Sequence, residues 1–257
     1  IGTSQWERMA SIQLFKVRCH GQGKAGAKKP VLFPKLVFLY DEKLHGQGMD
    51  LEDVFEAAIE CSSKTMYPDW LSLSGEGYIA SMYKKYNKVI SPMGCRAFLS
   101  PWYMHGGMKP ANEKDTPIFI GRFNIGAISL HLPLIYAKAA QQGKPFYELL
   151  DYYLNLIRRL HLRTYDYLGE MKASINPLAY CEGGFYGGNL KQTDKIKPLL
   201  RSATASFGIT ALNELEQLHH KKSLVEDGSF ALETLEHINQ KIEEFKQKDN
   251  RLYAVYG

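Results

Sequence analysis

Of the four cysteines in this chain, at positions 19, 61, 95 and 181, one is set apart by its neighbours. Cys95 stands in Ser91-Pro-Met-Gly-Cys-Arg-Ala-Phe-Leu-Ser-Pro-Trp102, where Pro92, Gly94 and Pro101 oppose regular helix and predict a tight, rigid loop. A cysteine held this way is either a packed core thiol or a positioned reactive one, and free cysteines are mostly buried and inert. No CxxC pair occurs, which leaves no zinc ribbon and no thioredoxin motif. Cys61 is expected on a helix and Cys181 at a strand end, both as structural residues, and Cys19 takes no assigned chemistry.

Other arrangements of reactive types read as structural. Gly21-Gln-Gly-Lys-Ala-Gly26 satisfies GxGxxG, but a dinucleotide fingerprint follows a strand and opens a helix, and here the order is helix, glycines, strand. Gly183-Gly-Phe-Tyr-Gly-Gly188 lacks the Lys-Ser/Thr ending of a P-loop. It reads as a turn, or as one that lets a substrate approach the backbone. His219 and His220 are neighbours on a predicted helix and point about 100° apart, so they suit a helix C-terminus better than a shared metal. No Ser/His/Asp arrangement stands out in the linear order.

The whole chain bounds these readings. Its 257 residues make one large domain or two small ones, and length favours one. A hydrophobic share of 45%, with 16 Tyr and 12 Phe, supports a substantial core and excludes a disordered chain. The net charge of +5 and pI of about 8.8 suit a phosphate-bearing small molecule and fall short of a nucleic-acid footprint. The basic cluster from Lys24 to Lys29 is diluted by glycine and alanine, and reads as a solvated loop before a phosphate contact. Nothing resembles a signal peptide and no apolar run approaches ~20 residues, so the expectation is a cytoplasmic protein without a membrane span or disulfides. Ile1 is not a start residue, and the last residues read as a strand opening into a turn. The expectation is therefore a piece of a longer protein.

The elements that must position the candidates alternate between helix and strand. Helices are predicted over Thr3–Val17, ending at Gly21, and over Asp50–Lys64, with Asp50 and Asp53 near its start. Val31–Tyr40 reads as a strand with Pro34 at an edge or bulge. Ile125–Leu132 alternates, with Gly126, Ile128, Leu130 and Leu132 on one face and Ala127, Ser129 and His131 on the other. Pro145 opens a long helix whose stripe is Phe146, Leu149, Leu150, Tyr153, Leu154, Ile157 and Leu160. Ala203–Phe207 reads as a short strand leading into a helix from Ile209. Leu232, Leu235, Ile238, Ile242 and Phe245 mark a further helix. This succession predicts an α/β fold with largely parallel strands.

Met93-Gly-Cys-Arg96 followed by Gly121-Arg-Phe-Asn-Ile-Gly-Ala-Ile-Ser-Leu-His-Leu-Pro133 resembles the anaerobic (class III) ribonucleotide reductases, which are glycyl radical enzymes. Leu32-Phe-Pro-Lys-Leu-Val-Phe38, Ile59-Glu-Cys-Ser-Ser-Lys-Thr-Met-Tyr-Pro-Asp69 and Ala205-Ser-Phe-Gly-Ile209 resemble family segments in the same order, so the likeness covers nearly the whole chain. It implies residues 1–257 as part of a catalytic ten-stranded α/β barrel, with Cys95 on a finger loop threaded into its centre.

The implied activity is reduction of ribonucleoside triphosphates to deoxyribonucleotides for DNA replication. By the resemblance, Cys95 carries a transient thiyl radical that removes the ribose 3′ hydrogen. Asn124 matches the second asparagine of a Gly-Arg-Asn-Asn stretch and would hold a ribose hydroxyl, with formate as reductant. Met93, Gly94, Arg96, Ser206 and Gly208 are the implied substrate contacts. Phe123 departs from the pattern, since the family has asparagine there. The glycyl radical motif, the CxxC zinc pairs and the ATP-binding allosteric region would lie outside this sequence, and a second cysteine with formate would supply the reducing equivalents. A radical-SAM iron–sulfur activating enzyme and a second copy of the full-length chain are the implied partners, with neither nucleic acid nor membrane, and the chain alone is expected to be inactive. The alternatives are a formate-lyase-like acyltransferase, or an inactive remnant that binds nucleotide or a partner.

Overall fold

The computed structural model describes residues 4–31, 33–93 and 97–256. The chain divides into two compact units, residues 1–98 and 99–257.

In the first unit, Ser4 caps helix α1 (Gln5–His20) in a reciprocal capping box with Glu7, and Gly21 ends it at φ +71°. Strand β1 (Val37–Tyr40) is followed by the short α2 (Glu42–His45), α3 (Glu52–Thr65) and β2 (Asp69–Ser72), and β1 and β2 pair in parallel from Val37 opposite Asp69. Phe15, Phe38, Leu51, Val54, Ala58 and Cys61 form the core between these elements. The strand is shorter than the expected Val31–Tyr40. Pro34 has no N–H for a ladder, and the buried Arg18 guanidinium instead binds the carbonyls of Val31, at 2.9 Å, and Pro34. Helix α4 (Tyr78–Tyr86) precedes two two-residue strands, β3 (Pro92–Met93) and β4 (Ala97–Phe98), which pair antiparallel.

The second unit is built on β5 (Asn124–His131), β6 (Thr204–Thr210) and β7 (Leu252–Tyr256), a parallel sheet in that spatial order. Helices α5 (Leu132–Gln142), α6 (Phe146–Gly169) and α7 (Pro177–Tyr180) connect β5 to β6, and α8 (Leu212–His220) and α9 (Ser229–Asp249) connect β6 to β7. The α/β class with parallel strands is as the sequence predicts.

Several boundaries differ. Leu132 is the first residue of α5 rather than the last of β5, because His131 turns the chain and its Nδ1 accepts the Leu134 amide at 3.2 Å. β6 runs on to Thr210, and Ala211 (φ +64°) turns the chain into α8. Cys181 ends the short helix α7, not a strand. On α6 the stripe turns from Ile157 to His161 and Tyr165, leaving Leu160 exposed; on α9 it runs through Phe230, Thr234 and Ile238, leaving Leu232 exposed. The i, i+4 rule holds in each case, and the residues it selects include polar ones.

Candidate active site

The sheet of the second unit has two unlike faces. Ala205, Phe207, Ile209, Leu130 and Tyr253 belong to the core with α5, α6, α8 and α9, and Ile128 and Val255 pack against it. The register places Ala127 beside Ser206, Ser129 beside Gly208, and Ser206 beside Ala254, so the opposite face is lined by small and hydroxyl-bearing residues. The predicted alternation of β5 holds for Ala127, Ile128, Ser129 and Leu130. It fails at Gly126, where a bulge between Asn124 and Ala127 shifts the register.

Asn124 opens β5 on this surface. Its Nδ2 donates to the Ser206 hydroxyl, and its Oδ1 accepts the Gly126 amide at 2.7 Å. Both ends of the amide are thus fixed, with one N–H and one lone pair left over. Ser206 is fully buried, and its backbone carbonyl bonds His161 Nε2 at 3.0 Å from the core side. Burial lowers the His161 pKa and the Ser206 carbonyl opposes this, so the ring is neutral and donates from Nε2 at pH 7. Gly208 is required by packing, since a Cβ there would overlap Ser129 Oγ.

Arg122 ties the start of this surface together. Its Nε donates to the Ser202 carbonyl at 3.0 Å and its Nη2 to Thr204 Oγ1 at 3.1 Å, while Nη1 donates to the Ser100 carbonyl. Burial lowers its pKa to about 10, which still leaves the guanidinium charged at neutral pH. Phe123 stacks on Phe185 with ring centroids 4.1 Å apart and planes 6° from parallel. Gly121 (φ +82°) accepts the Tyr186 amide at 2.8 Å, and a Cβ there would lie 2.5 Å from Tyr186 N. The aromatic at the position that departs from the family pattern therefore packs the glycine-rich loop Gly183–Gly188 against the start of β5.

Of the sequence-predicted residues, the structure brings together Asn124, Ser206 and Gly208. Met93 is half-buried in β3 of the first unit. Cys95, Gly94 and Arg96 lie outside the described residues. His161, Tyr165 and the triple role of Arg122 were not assigned from sequence. The i, i+4 continuation Ile157–His161–Tyr165 was the available signal for the first two, and nothing local marked the third.

The zinc implied by the resemblance belongs to CxxC pairs expected outside this sequence, and no three of the described cysteines converge here. Among the described residues, the group able to offer three ligand atoms is Glu216, His220 and Asp227. Its atoms are already engaged: Glu216 binds His220 Nδ1 at 2.6 Å and the Ala231 amide at 2.7 Å, and Asp227 binds Ser229 and Lys222. His219 stacks on Phe230 with ring centroids 3.8 Å apart, and its ring also meets that of His220 edge to face at 4.4 Å, so the two neighbours converge on Phe230 instead of pointing apart as the sequence predicts.

The described geometry supplies an oriented neutral amide and a hydroxyl on a small-residue face beside a clamped backbone. Compared with known proteins, the family described as "Anaerobic ribonucleoside-triphosphate reductase" matches residues 2–257. This chain belongs to that family. The anaerobic ribonucleoside-triphosphate reductase of Salmonella typhimurium is 31% identical over the whole of this chain, which corresponds to 35% of that relative. That of phage T4 is 30% identical, again over the whole chain and over 40% of its own length. A crystal structure of the anaerobic ribonucleotide reductase from Thermotoga maritima matches 97% of this chain and 35% of its own, with a TM-score of 0.51 at 16% identity, a likeness of fold. The chain thus spans little more than a third of the length of these family members. Among the described residues, no helix is long and apolar enough to cross a membrane.

Proposed function

We propose that this chain forms part of the catalytic domain of an anaerobic ribonucleoside-triphosphate reductase, and that Cys95 and Asn124 act on the ribose. The overall change replaces the ribose 2′-hydroxyl with hydrogen: ribonucleoside triphosphate, formate and a proton give deoxyribonucleoside triphosphate, carbon dioxide and water. The observation that carries the reading is the Asn124–Ser206 pair, in a chain matched to the family from residue 2 to its end.

In this reading the Cys95 sulfur takes the 3′ hydrogen and returns one after the 2′-hydroxyl has left as water. A glycyl radical on residues outside this sequence, generated by the activating enzyme, supplies the oxidising equivalent. Asn124 holds a ribose hydroxyl with its spare N–H and lone pair. An uncharged amide suits a mechanism in which formate, not a protein carboxylate, brings the negative charge. Met93, Gly94, Arg96, Ser206 and Gly208 shape the substrate's surroundings, Ser206 and Gly208 chiefly by holding Asn124 and Ser129.

The test uses the activated full-length protein under anaerobic conditions, with carbon-14 formate and a ribonucleoside triphosphate. One labelled carbon dioxide per deoxyribonucleotide is expected. Cys95→Ser should abolish turnover while nucleotide binding persists, and Asn124→Ala should lower kcat by about 10²-fold or more. Turnover undiminished in Cys95→Ser would sink the radical role. Consumption of pyruvate and coenzyme A instead would establish the acyltransferase.

A further inference from the structure

A second polar surface of the 99–257 unit, at the starting ends of β6 and β7, is built for negative charge. Between the end of α9, the start of β7, the 3-10 turn Leu199–Arg201 ahead of β6 and the segment after Pro101 is a cavity of ≈ 160 Å³. Tyr103, His105, Arg201, Lys246, Asn250 and Arg251 line it, and the lining includes no carboxylate.

The carboxylates nearby are already committed. Glu243 binds His105 Nε2 at 2.7 Å and Lys246 Nζ at 2.5 Å. Asp249 is held by the Arg158 guanidinium, with Nε at 2.6 Å, and by Tyr253 Oη at 2.9 Å. Arg251 is fixed over the Tyr165 ring, 4.8 Å from its centroid, which orients the guanidinium without neutralising it. Arg201 is exposed and has no ion-pair partner among the described residues. Two guanidinium groups from different elements thus face one cavity uncompensated. The last carbonyls of α9 oppose an anion, but Asn250 (φ +50°) turns the chain away there, and their effect decays within a turn.

We propose that this cavity binds the phosphate group of a small molecule. Paired guanidinium forks match phosphate oxygens bidentately, and the side-chain amides of Gln247 and Asn250 with the Tyr103 hydroxyl add neutral donors. The volume accommodates a diphosphate, so both inorganic pyrophosphate and the phosphate tail of a nucleotide fit the chemistry.

The test is calorimetric titration of the full-length protein with inorganic pyrophosphate, then with ATP, comparing wild type with Arg201→Glu. Because Arg201 is exposed and has no ion-pair partner among the described residues, its reversal should leave the melting temperature unchanged. The expected result is a pyrophosphate site in the wild type whose affinity falls about tenfold or more in the variant and weakens with salt. Arg251→Gln should give the same loss and serves as the second variant. Loss of one equivalent of ATP as well would identify a nucleotide as the source, and loss of pyrophosphate alone would identify the free anion. Pyrophosphate bound with equal stoichiometry and affinity by wild type and both variants, or not bound at all, would overturn the proposal.

Discussion

Arg122 illustrates what a single residue does here. One guanidinium meets two carbonyls and a hydroxyl on segments distant in sequence, and its charge is retained in a largely buried place. Arg122→Ala leaves those acceptors without donors, and the expected loss is about 2–4 kcal/mol, read as a lower urea midpoint. Arg122→Lys, a point charge without the fork, should recover only part of it. His161 gives a pH signature. Its folded pKa is lowered, so the unfolded chain binds the proton more readily as pH falls below about 6.5. Stability should therefore decline on acidification below that value, and His45, lowered mainly by burial, adds in the same sense. Melting temperatures from pH 7.5 to 5 should fall less steeply in His161→Gln than in the wild type; an equal slope would remove His161 as the cause. The i, i+4 continuation from Ile157 marks His161 as a buried position, but neither its strand partner nor the contacts of Arg122 are legible in the sequence, because those partners lie 45, 80 and 82 residues away. Asn124 was legible only because its neighbours resemble a family stretch.

Among the elements, helices were read more accurately than strands. Three- and four-residue spacing marked α6 and α9, yet the apolar criterion chose Leu160 and Leu232 and passed over His161, Tyr165 and Thr234, which occupy the buried stripe. A direct contrast follows. Leu154→Ala, at a position with no exposure, should cost about 2–5 kcal/mol, whereas Leu160→Ala, at 43% exposure, should cost under about 1 kcal/mol. Denaturant midpoints of the two variants decide it, and equal losses would mean that α6 is rotated. β6 was underestimated because Gly208 interrupts the pattern of branched residues, although its missing Cβ is what admits Ser129. The 31–36 segment was overestimated for the opposite reason: its Val, Leu and Phe have strand propensity, but Pro34 lacks an N–H and Arg18 takes the Val31 and Pro34 carbonyls away from a ladder.

On the scale of the whole molecule, each unit carries its own core, and the sheet of the second unit has β5 and β7 as its outer strands among those described. Outer strands offer unpaired amides and carbonyls to other chains. Ile120, at 82% exposure, lies just ahead of β5. The 257-residue chain studied alone should accordingly self-associate, with a sedimentation coefficient that rises with concentration; a single concentration-independent monomer would refute this. The division into two units was not visible in composition, because no linker of distinct character separates them. The parallel sheet also sets a timetable for synthesis. Asn124 and Ser206 touch across 82 residues, so no local folding event can bring them together. At about 5–20 residues per second, a ribosome that has just made Asn124 takes on the order of 4–16 s to reach Ser206. For that interval β5 exists without its neighbour, and the nascent chain must hold its apolar face in some other company until β6 emerges.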